Sequence, residues 1–157
     1  MFFKKQKKET IYSPCSGKVI KLDEVPDQVF ADKILGDGAA VIPESGIIVS
    51  PVNGKITQLF DTLHAYAITS DSGLELLIHI GINTVELNGE GFTALVKEGD
   101  SVKIGDKLAE VNLEYLADRG YNLHTPVIIT NSDKIASIDI SCGQKNQGDE
   151  IMVCKLK

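Results

Sequence analysis

Two histidines sit in strand-like segments, each beside a residue able to leave an imidazole free for chemistry. The first lies in Gly73-Leu74-Glu75-Leu76-Leu77-Ile78-His79-Ile80-Gly81-Ile82-Asn83-Thr84-Val85, rich in leucine and isoleucine. Side chains alternate along a strand, so Leu74, Leu76, Ile78, Ile80 and Ile82 form one apolar face. Glu75, Leu77, His79 and Gly81 form the other. Fifteen residues upstream, Thr62-Leu63-His64-Ala65-Tyr66 repeats the arrangement, and strict alternation puts Phe60, Thr62, His64 and Tyr66 on one face. A neutral imidazole near pH 7 keeps a lone pair on one nitrogen while the other donates a hydrogen bond, which suits it to nucleophilic or proton-transfer work. Taken singly, each histidine could equally be an ordinary core or edge residue. The third, His124, lies beside Thr125-Pro126 in a turn and reads as structural.

The elements that must position these groups are short strands. Apolar runs at 18–22, 46–49, 56–60, 65–69, 74–80, 94–96, 127–130 and 151–155 are separated by Gly, Pro, Asp and Asn. Only 113–120 reads as a helix, with Gly120 as its stop. The pattern predicts an all-β fold, an antiparallel sandwich or flattened barrel, with no βαβ units. Ser13-Pro14-Cys15-Ser16-Gly17-Lys18-Val19 and Ser50-Pro51-Val52-Asn53-Gly54-Lys55-Ile56 echo each other 37 residues apart. Each reads as a proline and glycine corner leading into a strand. Gly99-Asp100 and Gly105-Asp106 add turns like those of hybrid barrel-sandwich domains, so the sandwich reads as a duplicated β unit.

Composition narrows the function classes. The 157 residues suit one domain, here 10–157 after a flexible arm at 1–9. A net charge of -6 gives no case for nucleic-acid binding. Cys15, Cys142 and Cys154 follow no zinc-finger or CxxC spacing, which favours free thiols in a reducing, cytoplasmic setting. No run is long and apolar enough to span a bilayer. Met1-Phe2-Phe3-Lys4-Lys5-Gln6-Lys7-Lys8 lacks the apolar core of a signal peptide and reads as a solvated arm, with anionic membrane contact the alternative.

From Val25 to Asn131 the chain resembles the glucose-type IIA domain of the bacterial phosphoenolpyruvate-dependent sugar phosphotransferase system. The resemblance rests on Val29-Phe30-Ala31-Asp32-Lys33, Leu35-Gly36-Asp37-Gly38, Ser50-Pro51-Val52-Asn53-Gly54, Thr62-Leu63-His64-Ala65, Asp71-Ser72-Gly73 and His79 through Leu87, in that order. It implies a phosphocarrier that takes a phosphoryl group from HPr on His79 Nε2 and passes it to a cysteine of a IIB domain. By the same resemblance His64 donates a hydrogen bond to the phosphoryl group and Thr62 orients His64. Asp37 becomes an acidic rim residue near the HPr docking face. Phe60, Tyr66 and Leu77 form an apolar collar, with Asn83 and Val85 also on the partner surface. Asn83 departs from the Asp that many relatives carry.

The resemblance further implies no resident cofactor, although some relatives share zinc across a partner interface through both histidines. It implies a monomer that meets the membrane only through the permease or the arm. A mainly regulatory protein, binding transporters or enzymes according to phosphorylation state, is the nearest alternative. A zinc peptidase of the lysostaphin type needs a His-x-His pair, and none occurs. A biotinyl or lipoyl carrier needs a presented lysine, and Lys18, Lys55 and Lys103 lack the flanking signature.

Overall fold

The computed structural model describes residues 7–157. Of the expected arm, residues 1–6 lie outside the described residues. Lys8 and Glu9, expected within the arm, already pair with Lys155 and Cys154, as strand β1 (Lys8–Tyr12) against β14 (Glu150–Leu156).

Among the described residues the strands form three sheets, and every pairing is antiparallel. The large sheet is built around β7 (Glu75–His79), flanked by β6 (Ala65–Ser70) and β11 (Thr125–Ile129). Beyond β11 come β3 (Asp37–Pro43), β2 (Gly17–Lys21) and β13 (Gly143–Lys145). Beyond β6 come β5 (Gly54–Leu59) and β9 (Ser101–Val102). A smaller sheet joins β4 (Ile47–Val49), β10 (Lys107–Val111) and β8 (Phe92–Ala94). The third sets β14 between β1 and β12 (Ile135–Ile140). No helix among the described residues is long and apolar enough to cross a membrane.

The alternation read from the sequence decides which face of β7 is buried. Leu74, Leu76, Ile78 and Ile80 are all at most 1% exposed and join the main core. Burying each such side chain contributes roughly 1.5–3 kcal/mol. Leu77 and His79 turn to the opposite face, where a second apolar cluster contains Leu22, Val25, Phe30, Ala40 and Ile128. Ile82, expected on the face of Leu74 to Ile80, joins this second cluster instead, because β7 ends at His79 and the left-handed Gly81 breaks the alternation.

The duplicated corners close on each other. Tyr12 N–H donates to the Pro51 carbonyl and Val49 N–H to the Pro14 carbonyl, at 3.0 and 2.7 Å. Ser13 and Ser50, both fully buried, each donate a hydroxyl to the carbonyl two residues on, at 2.7 Å. Each serine also exchanges backbone bonds with a Gly-Asp turn, Ser13 with Gly148-Asp149 and Ser50 with Gly105-Asp106. The two corners thus repeat each other bond for bond, and a buried serine at each donates where the adjacent proline has no N–H to give.

Each predicted strand meets an observed one, although 94–96 shares only Ala94 with β8. The predicted helix is α2 (Leu113–Asp118), capped by the Asn112 side chain on Tyr115 N–H. A one-turn helix, α1 (Gln28–Ala31), is additional to expectation, as are β1, β3, β9, β10, β12 and β13. All three cysteines are free thiols, with Cys15 and Cys154 buried and Cys142 exposed.

Candidate functional site

His79 ends β7 opposite Ala65, the first residue of β6. Its Nδ1 lies 2.7 Å from the Gly81 carbonyl. A carbonyl oxygen only accepts, so Nδ1 carries the proton and the Nε2 lone pair is left bare. Gly81 reaches this position with φ +75°, which favours glycine. One residue on from His79, Ile80 N–H donates to the His64 carbonyl at 2.7 Å, tying the two histidine segments together through the backbone.

His64 lies in the turn before β6, where Leu63 N–H closes onto the Phe60 carbonyl at 2.8 Å and Leu63 takes φ +59°. His64 as a residue is almost fully buried, at 4% exposure. Its Nδ1 sits 2.7 Å from the Thr62 hydroxyl. Unlike a carbonyl, a hydroxyl can donate, so Thr62 allows His64 to carry its proton on Nε2. The two imidazoles stand 4.8 Å apart between centroids, at 81°. One ring therefore offers a lone pair and the other can offer an N–H in the same small space.

Burial, then the charge of neighbouring His79, lowers the His64 pKa to about 4. Burial lowers His79 as well, opposed by its bond to Gly81 and by the negative charge of Asp27. Both rings are neutral at pH 7. A pair of neutral imidazoles, one a nucleophile and one a donor, can accept a group with developing negative charge without a metal.

The collar is apolar. The Phe30 ring lies 5.0 Å from His79 and the Phe60 ring 5.6 Å from His64. Leu77 is half-buried on the same sheet face. Val29 and Val85 are 43% and 48% exposed, and Asn83 is exposed with φ +61° at the start of the 3-10 turn over Thr84–Leu87. An open hollow of about 460 Å³, lined by Phe60, Ala67, Glu75, Leu77 and Thr130 among others, continues down this face.

Two expected rim residues stand elsewhere. Tyr66 pairs with Ile78, faces the main core and is 0% exposed, so it is not part of the collar. The turn at 61–64 interrupts the alternation, and His64 and Tyr66 do not share a strand face. Asp37 pairs with Ile129, whose partner on β7 is the core-facing Leu76, so it points away from the His79 face. Its carboxylate accepts from Gly38 N–H and lies 3.4 Å from Lys33 Nζ. The acid that acts on His79 is Asp27, which also caps α1 by accepting from Val29 N–H at 2.9 Å. Asp27 and Phe30 were visible as an Asp ahead of an apolar pair, but one helical turn is too short to display a period. His124 is separate, with Nδ1 on the Asn122 side chain.

No cluster of three or more His, Cys, Asp or Glu side chains converges as a metal site among the described residues.

Residues 9–135 match the family described as phosphoenolpyruvate-dependent sugar phosphotransferase system, EIIA 1. A glucose-specific EIIA component of this system from Borreliella burgdorferi is 43% identical over 152 residues, covering 97% of this chain and 80% of the relative. One from Staphylococcus aureus is 47% identical over 135 residues, covering 86% and 81%. The glucose permease IIA structure from Mycoplasma capricolum superposes with a TM-score of 0.90 at 39% identity, over 98% of this chain and 99% of the other.

Proposed function

Because the chain belongs to the EIIA 1 family of the phosphoenolpyruvate-dependent sugar phosphotransferase system, and so is a phosphocarrier that takes phosphate from HPr and passes it to IIB, we propose that His79 carries the phosphoryl group on Nε2. The observation that supports this most directly is the Nδ1–H bond of His79 to the Gly81 carbonyl, which leaves the Nε2 lone pair free on a ring 4.8 Å from that of His64.

In the first transfer the Nε2 lone pair attacks phosphorus on phospho-HPr. The P–N bond to HPr's own histidine breaks, and its electron pair returns to that ring. In the second, a IIB cysteine thiolate attacks the same phosphorus and the P–Nε2 pair returns to His79. Such a transition state has charge spread over the phosphoryl oxygens, so placement and charge stabilisation matter most. His64, kept neutral and held by Thr62, donates Nε2–H to those oxygens. Phe30, Phe60 and Leu77 limit the water that would hydrolyse phosphohistidine. Asp27, Asn83 and Val85 form the docking rim for basic HPr.

The curated relatives are named glucose-specific, and glucose is the sugar we assign to the permease served. The setting we assign is the cytoplasm and the working form a monomer. Zinc shared between His64 and His79 at a partner interface is retained only as a secondary binding mode.

The test is labelled transfer from phosphoenolpyruvate through enzyme I and HPr. His79→Gln takes up no phosphate, because the nucleophilic nitrogen is gone. His64→Gln still takes up phosphate from HPr but passes it to IIB much more slowly. Normal labelling of the His79 variant would remove the assignment.

A further inference from the structure

We propose that Thr84 is a positioning residue for His79: its hydroxyl holds the peptide plane that aims the Gly81 carbonyl to keep the His79 proton on Nδ1, while its methyl fills the space beside Gly81. The proposal rests on His79 being the phosphoryl acceptor.

Thr84 is fully buried, yet it is polar and lies five residues beyond the histidine. Its hydroxyl donates to the Ile80 carbonyl at 2.5 Å. The same Ile80 residue donates its N–H to the His64 carbonyl. Thr84 is thus the outer link of a chain that runs through Ile80 to the backbone of the second histidine. By fixing the Ile80 carbonyl, it fixes the peptide plane that leads into Gly81.

The methyl group acts on Gly81 itself. A Cβ built on Gly81 would come within 2.6 Å of Thr84 Cγ2 and 3.2 Å of the Asn122 carbonyl. The space a side chain would need at residue 81 is therefore filled by Thr84, which braces Gly81 in its left-handed conformation. On the far side, Ile82 N–H donates to the Asn122 carbonyl at 2.9 Å. Between these two anchors the Gly81 carbonyl has one direction to point, toward His79 Nδ1.

This matters because the nucleophile needs a particular tautomer. With the Gly81 carbonyl turned aside, the His79 proton is free to move to Nε2, and a ring protonated there has no lone pair for phosphorus. Thr84 touches neither the phosphoryl group nor a partner, so its effect is carried by geometry, and small displacements of a reacting group can cost up to roughly a hundredfold in rate.

The test compares Thr84→Val, which keeps the shape and removes the donor, with Thr84→Ser, which keeps the donor and removes the methyl. The first readout is the pair of His79 ring ¹⁵N shifts in the unphosphorylated protein, which reports the tautomer without any transfer reaction. The valine variant is expected to lose part of the Nδ1–H population and to accept phosphate from HPr about tenfold more slowly. The serine variant is expected to recover most of both.

A purely structural role would lower the melting temperature and leave the ring shifts of the folded protein unchanged, and that result overturns the proposal. Equal loss in both variants overturns the role of the hydroxyl. Should the valine variant fail to fold, the serine variant decides: ring shifts that keep the wild-type tautomer support the proposal, and a changed tautomer despite the retained hydroxyl overturns it. Failure of the acceptor assignment is separate, since it appears as normal labelling of His79→Gln.

Discussion

Ala65 and His79 are cross-strand partners on β6 and β7, and a residue without bulk stands opposite the histidine as a result. Space is left above Ala65 for the His64 ring, which arrives from the preceding turn and stands 4.8 Å from His79. The next pair along, Tyr66 with Ile78, points through the sheet into the main core. A single step along β6 thus separates the functional face from the packed one.

Tyr66 consequently tests the division of faces. Its hydroxyl is buried with no hydrogen-bond partner among the described residues, and burial raises its pKa to about 12. An unsatisfied buried hydroxyl costs about 1–3 kcal/mol. Tyr66→Phe should therefore raise unfolding stability by about 1 kcal/mol in urea denaturation. Phosphate transfer in both directions should be unchanged, whereas a collar residue would alter HPr affinity.

Thr62 offers a finer probe. Thr62→Val preserves shape but removes the hydroxyl 2.7 Å from His64 Nδ1. The His64 ring then loses its orientation, while His79 and its bond to Gly81 remain. Uptake from HPr should be largely preserved, and transfer to IIB should slow roughly tenfold. Thr62→Ser should restore it. Rapid-quench measurement of the two half-reactions separates these outcomes, and equal slowing of both would remove the role given to Thr62.

The two histidines and most strands were legible because their signals are local. The Leu74 to Ile80 alternation, the Ser-Pro corners and the Gly120 stop each follow from a few adjacent residues. Other features were hidden for physical reasons. Leu63 adopts a left-handed conformation in a residue type that rarely does, so nothing local warned that the alternation through His64 to Tyr66 was broken. Helix α1 has four residues, and the placement of Phe30 and Asp27 beside His79 depends on tertiary packing. Asp37 stood out in Gly-Asp-Gly, but its carboxylate serves Gly38 and Lys33. Strands β10 and β12 carry a weak sequence signal because exposed polar residues break up their apolar runs.

Stability should fall in mild acid because of His64. Its pKa is about 6.5 when unfolded and about 4 when folded, so between those values the unfolded chain binds more protons. Stability is full above about pH 6.5 and is lost as pH falls toward 4, with no further loss from this group below that. The contribution is on the order of 1–3 kcal/mol. His64→Gln should flatten the stability profile across this window. An unchanged slope would mean that His64 titrates normally.

Asp27 and Asp37 together decide where the charged docking rim lies. Asp27 raises the His79 pKa by its charge, whereas Asp37 faces away and is paired with Lys33. Asp27→Asn is the informative change because asparagine is also a good helix N-cap, so α1 is retained while the charge is lost. The His79 pKa should drop further below its ordinary value. HPr affinity should weaken by about 2- to 5-fold at low salt, the effect of a partly exposed charge pair, and the difference should shrink as salt is raised. Asp37→Asn should change neither quantity, although it removes a surface ion pair of small stability. Titration of HPr at two ionic strengths, with the His79 ring followed by NMR, measures all of this in one experiment. Loss of affinity on changing Asp37, with none on changing Asp27, would move the docking rim to the opposite face of β3.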